Sequence, residues 1–228
     1  MEHPEIDFAT VLASAVHDMK NSLCMLIQSM DLLQQDLAPQ SENASQELAR
    51  IHYEASRLNT NLMQLLSLYR IEKNQLPLHL DEYFVEDLLE EVVIKNEMYS
   101  QQKHIEVQVE TEKHLSWFFD NDLVSNLIND MFVNALRYSS GKLLLKASTE
   151  NGQLCLELHD DGEGFPDFML ENNDNSMNQF NLAAGRTGLG LFFAHLIAKA
   201  HRNQGHYGRI ELSNGGRYGG GVFRLLLP

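Results

Sequence analysis

Basic residues are scarce in this sequence: 17 Lys and Arg stand against 32 Asp and Glu over 228 residues, a formal net charge of -15. That balance argues against a general nucleic-acid binder, whose affinity comes from neutralising phosphates. It equally disfavours adsorption to anionic lipid. Long apolar runs are missing too; none approaches the roughly 18–20 residues that span a bilayer, so no direct membrane insertion is expected. The opening MEHPEIDFAT has neither a basic stretch nor an apolar one, so no signal peptide is expected and the location reads as cytoplasmic. Cysteine is reduced to Cys24 and Cys155, each within an apolar pattern. Two cysteines without a CxxC make no zinc site by themselves and read as small buried hydrophobes. The ten histidines form no HExxH and no H-x3-H pair. What is present is ample apolar material, 43% of residues, enough for a real core.

Periodicity divides the chain in two. From Phe8 to Leu37 there is no Pro or Gly, and apolar residues recur at Phe8, Leu12, Ala15, Met19, Leu26, Met30, Leu33 and Leu37. Residues Ala38 to Asn43 break that pattern, with Ser41 and Asn43 as candidate caps. Leu48, Ile51, Ala55, Leu58, Leu62, Leu65 and Tyr69 then alternate steps of three and four, a heptad seam. The expectation is a helical hairpin over residues 1–75. Two helices cannot bury both stripes, so a second copy should complete a four-helix bundle as a homodimer. A plain coiled-coil dimeriser would show the same heptads. Residues 76–228 alternate helix and strand. Helices are expected at Phe84–Ser100, Asp122–Ser139 and Gly188–Arg202. Strands are expected at Ile105–Val109, Lys142–Ser148, Gln153–His159, Tyr207–Ser213 and Gly221–Leu227. Helices on one face of a mixed sheet make an α+β sandwich. Pro166–Thr187 is a long, Asn-rich polar stretch with the character of a lid.

The chemistry-bearing residues fall into three groups. His17 lies on the side of the first helix away from the Ala15/Met19 seam, which makes it an exposed imidazole. Asp18 follows it, and Asn21 stands one turn later on nearly the same face. An acidic neighbour can take the imidazole proton and free a nitrogen to attack phosphorus. Two glycine clusters come next. Asp160-Asp161-Gly162-Glu163-Gly164 follows a strand, and Gly185-Arg186-Thr187-Gly188-Leu189-Gly190 opens a helix. Glycines admit phosphate to backbone N–H groups, and a helix N-terminus favours negative charge. The spacing fits neither a Rossmann fingerprint nor a P-loop. Third, Asp130 and Asn134 share a helix face, as oxygen donors suited to Mg²⁺, with Arg137 near enough to contact phosphate.

In this order the motifs resemble the two-component sensor histidine kinases. His17-Asp18-Met19-Lys20-Asn21 looks like their H-box, Asp130–Ser139 like the N-box, and Asp160–Gly164 and Gly185–Leu191 like the G1 and G2 boxes. The resemblance implies a dimerisation and histidine phosphotransfer hairpin followed by a Bergerat-type ATP-binding catalytic domain. It implies that His17 takes the γ-phosphoryl group of ATP, with Asp18 as acid/base partner. Asn21 would align water for dephosphorylating a response-regulator receiver domain, the partner that otherwise receives the group on an Asp. Asn134 would hold Mg²⁺, and Asp160 would accept from the adenine amino group. Gly162, Gly164, Gly188 and Gly190 would shape the pocket, with Asp130, Arg137 and Arg186 beside the nucleotide. Three positions depart from the family pattern: Asp130 where Asn is usual, Ser22 in place of a common Pro, and a lid whose candidate aromatics are only Phe168 and Phe180. They leave two alternatives to a kinase that is also a phosphatase. One is a phosphatase or phosphotransfer protein with little autokinase activity; the other is a non-catalytic dimeric adaptor. With no residues left for a sensor, input is expected from a separate protein, from the regulator, or through a segment that has been removed.

Overall fold

The computed structural model describes residues 19, 21–30, 51, 55, 58, 62, 78–170 and 186–228. The chain separates into two compact units, Met1–Pro77 and Leu78–Pro228. In the first unit the described residues are all helical. Met30 and Ala55 of the two seams are buried, while Met19, Leu26, Ile51 and Leu58 remain about half exposed in the single chain. Cys24 is half-buried rather than buried, and Asn21 and Gln28 are exposed. His17, Asp18 and the break at Ala38–Asn43 lie outside the described residues.

The second unit is built on a five-stranded sheet in the order β2-β4-β5-β9-β8. Its strands are β2 (Glu106–Thr111), β4 (Lys142–Glu150), β5 (Gln153–Asp160), β8 (Arg209–Asn214) and β9 (Gly221–Leu227). Only β2 and β4 pair in parallel; the other ladders are antiparallel. The parallel pair needs a long crossover, and α3 (Asn121–Tyr138) supplies it. β4 and β5 turn tightly through Asn151-Gly152, both at positive φ, the geometry a two-residue hairpin demands. Two short ribbons complete the strands among the described residues. β1 (Asp81–Phe84) pairs with β3 (Ser116–Phe119), and β6 (Arg202–Asn203) with β7 (His206–Tyr207).

Three helices cover one face of the sheet: α1 (Val85–Lys95), α3 and α5 (Arg186–Ala200). Two shorter ones are α2 (Glu97–Gln102) and α4 (Asp167–Leu170). Leu88, Leu89, Leu127, Phe132, Leu136 and Leu191 of the helices share one core with Leu143, Leu145, Leu156, Phe223 and Leu225 of the sheet. α3 starts at Asp120, whose Oδ1 accepts the Leu123 N–H at 3.1 Å, a side-chain N-cap. The expected single helix over Phe84–Ser100 is corrected in two ways. Phe84 ends β1 and is exposed, and the helix stops at Asn96. There the Asn96 amide donates to both the Val92 carbonyl and Asn129 Oδ1 at 2.8 Å, so the side chain diverts the chain from the helical path. The expected strand Tyr207–Ser213 is interrupted at Gly208, where a Cβ would collide with the Ala198 carbonyl oxygen.

The opposite sheet face is mixed: buried Leu144, Cys155, Val222 and Leu226 alternate with the core residues, beside a polar network. Lys146 Nζ and His159 Nε2 both meet Glu157, at 2.9 and 3.1 Å, and Arg224 bridges Glu150 and Glu211. Burial pushes the Glu157 carboxyl up, but the Lys146 and His159 contacts outweigh it and hold it below the usual range. Glu150, Cys155 and Glu157 bring their ligand atoms within 4.8 Å of one another. The Arg224 guanidinium already donates to Glu150 and Cys155 there, which makes the cluster an ion-pair network. No helix among the described residues is long and apolar enough to cross a membrane.

Candidate functional site

The site is laid out along α3. Asp130, Asn134 and Tyr138 recur every four residues and so share one face of that helix. Asp130 and Asn134 are half-buried. At the Asp130 end, a Cβ on Gly190 would lie 2.9 Å from Asp130 Oδ2, so the second glycine cluster meets α3 there. At the Tyr138 end, a Cβ on Gly162 would lie 2.5 Å from the Tyr138 carbonyl oxygen, so the first glycine cluster meets α3 there. Eight residues at 1.5 Å each put the two contacts about 12 Å apart. Asn134 stands midway between them.

The first cluster is held by its own carboxylates. Asp160 closes β5, and its Oδ1 accepts the Gly162 N–H at 2.8 Å and the Gly221 N–H at 3.0 Å. The Gly220 N–H donates to the Asp160 carbonyl oxygen at 3.1 Å. Asp161 Oδ1 accepts the N–H groups of Ser140 at 2.8 Å and Gly141 at 3.1 Å, just past the end of α3. Partial burial alone would push the Asp161 carboxyl up. The backbone N–H groups of Gly141 and Ser140 outweigh it and hold the group below its usual range. Gly164 has φ +83°, and a Cβ on it would stand 2.6 Å from Asn214 Oδ1. Glycine is therefore required there both for backbone conformation and for space.

Of the residues the sequence singled out, Asp160, Gly162 and Gly164 gather on one loop, and Asp130 faces Gly190. Arg137 is half-buried on α3, and its carbonyl accepts from Lys103 Nζ at 3.5 Å. Arg186, whose side chain lies outside the described residues, and Gly188 are in the first turn of α5; residues 171–185, most of the stretch expected as a lid, also lie outside the described residues. Phe168 sits exposed on α4. Asn21 belongs to the first unit, and His17 and Asp18 lie outside the described residues. Sequence reasoning missed three contributors: Asn214, Gly220 and Gly221. They form a turn that reads only as a glycine-rich connection, and their contacts with Asp160 to Phe165 span 49 to 61 residues of chain.

Residues 119–228 match the family described as histidine kinase-, DNA gyrase B-, and HSP90-like ATPase. The sensor histidine kinase YkoH of Bacillus subtilis is 27% identical over 192 residues, covering 82% of this chain and 41% of that protein. The sensor protein SrrB of Staphylococcus aureus is 20% identical over 196 residues, 83% of this chain and 34% of that one. The chain thus spans less than half the length of these relatives. Among solved structures, the Acinetobacter baumannii histidine kinase AdeS aligns with a TM-score of 0.60 at 20% identity, covering 91% of this chain and 95% of AdeS. Full-length ShkA, solved in complex with AMPPNP, aligns with a TM-score of 0.64 at 19% identity over 96% of this chain and 45% of ShkA. These two likenesses bear on the fold.

Proposed function

We propose that this chain, a member of the two-component histidine kinases with an ATPase domain of the histidine kinase, gyrase B and HSP90 type, binds ATP between its two glycine clusters and phosphorylates itself on His17. The observation that carries this reading is α3 as a ruler: it joins Gly190, met by Asp130, to Gly162, met by the Tyr138 carbonyl, across about 12 Å, with Asn134 midway. That span suits a nucleotide lying with its base at Asp160 and its phosphates toward the start of α5. Asp160 suits adenine because a carboxylate fixed by two N–H groups can accept the exocyclic amino group without reorganising. The start of α5 suits phosphate because its first N–H groups have no partner within the helix. The donor set of α3, one carboxylate and one carboxamide, suits Mg²⁺, which asks for few protein oxygens plus phosphate and water. Asn134 would hold the ion beside Asp130; when bound, it would neutralise charge developing on the transferred phosphoryl group.

His17 would attack the γ-phosphorus through one imidazole nitrogen, with Asp18 drawing on the other ring N–H. The P–O bond to ADP breaks as the N–P bond forms. The phosphoryl group would then pass to an Asp of a response-regulator receiver domain, and Asn21 would orient a water when the same regulator is dephosphorylated. The half-exposed seam residues Met19, Leu26, Ile51 and Leu58 support a homodimer, since a second copy would bury them. Incubation with γ-labelled ATP and Mg²⁺ should place acid-labile label on the chain. His17→Gln should abolish that label and leave nucleotide affinity within about twofold; label that survives the exchange would overturn the assignment.

A further inference from the structure

We infer that Asn214 is the positioning residue that sets the affinity of the nucleotide site, by clamping the backbone of Phe165. This rests on the ATP reading above and adds to it a residue that acts through the backbone of the loop carrying Asp160. Asn214 is the last residue of β8, the edge strand of the sheet. Its Oδ1 accepts the Phe165 N–H at 2.7 Å, and its Nδ2 donates to the Phe165 carbonyl oxygen at 2.8 Å. The two bonds are reciprocal and together fix which way the amide points. They are the pair that a neighbouring strand residue would exchange with the edge, made here by a side chain.

The clamp acts on the loop that carries Asp160. Asn214 stands directly opposite Gly221 in the β8–β9 ladder. Gly221 gives its N–H to Asp160, and a Cβ on it would lie 3.0 Å from the Phe165 ring. One end of the sheet therefore holds the loop at two points. The Gly221 N–H takes the Asp160 carboxylate, and the Asn214 amide takes the Phe165 backbone five residues later. Gly164 lies inside the second point, with its Cβ position occupied by the Asn214 amide. α4 continues from this loop and packs against β8. Both clamp bonds are solvent-exposed, so water can replace them at modest cost to the fold. What water cannot replace is the fixed path of Gly162 to Phe165, and with it the pre-set orientation of Asp160.

The test uses the full chain and two probes, ADP and AMPPNP with Mg²⁺, measured by calorimetry. Asn214→Ala should weaken both by the same factor, about tenfold, because the clamp serves the Asp160 end that both probes share. Its melting temperature without nucleotide should stay within about 4 °C of the parent. Asn214→Asp should bind no better than the alanine variant, since a carboxylate would face the Phe165 carbonyl oxygen acceptor to acceptor. Amide hydrogen exchange at Phe165 should speed up in Asn214→Ala, with or without nucleotide, because its N–H then loses the Oδ1 acceptor. Gly164→Ala should cost less affinity in the Asn214→Ala background than alone, because the amide it collides with is gone. Binding by Asn214→Ala within twofold of the parent overturns the inference. So does a loss confined to AMPPNP, or a loss matched by a large drop in melting temperature. If the parent itself binds neither probe, the ATP reading falls and this role with it, a result distinct from equal binding by parent and variant.

Discussion

Asp160 keeps one carboxylate oxygen occupied with the Gly162 and Gly221 N–H groups. Asparagine at that position can keep the same acceptor in place and so preserve the loop. Its NH₂ would then present a donor where the adenine amino group, also a donor, is expected. Asp160→Asn should therefore lower ATP affinity at least about thirtyfold, or roughly 2 kcal/mol. Unfolding midpoints should stay within experimental scatter; a matching loss of stability would mean that the carboxylate is only structural. His201 makes the opposite kind of prediction, one of stability alone. It is buried, with Nδ1 against the Ile197 carbonyl at 2.8 Å and Nε2 accepting the Asp120 N–H at 3.0 Å. Those partners require the neutral ring with its proton on Nδ1. Burial depresses the ring below its ordinary 6.5, although the Ile197 bond and the Asp120 charge pull the other way. The sign follows: the stabilisation is present above about pH 6.5 and is lost as pH falls, because only the unfolded chain takes up the proton. The stability gap between the parent and His201→Gln should shrink from pH 7.5 to 5.5 in urea titrations. A gap that widens toward acid would contradict the neutral tautomer.

At the scale of elements, α3 is the part everything else is measured against. Its last turn meets Gly162 through a backbone carbonyl, which cannot move without unwinding the helix end. Gly162→Ala should therefore cost about 1–3 kcal/mol and most of the nucleotide affinity. Gly205→Ala is the matched control. Gly205 has φ +86° but open space around its Cβ position, so that exchange should cost only about 1–2 kcal/mol of backbone strain and leave binding intact. Equal effects on binding would show that close packing at Gly162 is immaterial. This helix was legible in the sequence because Leu127, Met131 and Ala135 recur at steps of four, and β4 and β5 were legible from strand patterns around Asn151-Gly152. The β1–β3 and β6–β7 ribbons were not, since four and two residues are too few to show a period. The helix end at Asn96 escaped as well, because the partner that diverts its side chain, Asn129, is 33 residues away. Asp160, Gly162 and Gly164 were readable as a local cluster. Asn214 was not, because its role exists only once β8 brings it beside Phe165.

For the whole molecule, the excess of acid sets a problem that the fold answers locally. A chain with a net charge of -15 repels a nucleotide at long range, and the repulsion weakens with salt. On the function proposed above, attraction would come from fixed N–H groups and from a cation held at Asn134, both of which depend little on net charge. The second unit, Leu78–Pro228, holds the core residues Leu89, Phe132, Leu145 and Leu225 together with both glycine clusters. It should therefore fold alone and bind ATP within about threefold of the full chain. Lacking His17, it should take no acid-labile label of its own. The proposed chemistry needs only His17 on one unit and the nucleotide on the other, so the isolated unit should still label a full chain whose own site carries Asp160→Asn. That labelling should rise with the concentration of the isolated unit, because the two parts must now meet by diffusion, and raising salt should favour it by screening the shared negative charge. At ATP concentrations far below the weakened dissociation constant of the variant, a full-length Asp160→Asn chain that labels as fast as the parent without any added unit would show that its nucleotide is not held at Asp160. A unit that binds ATP but never labels the variant would show that covalent linkage to the hairpin is itself required.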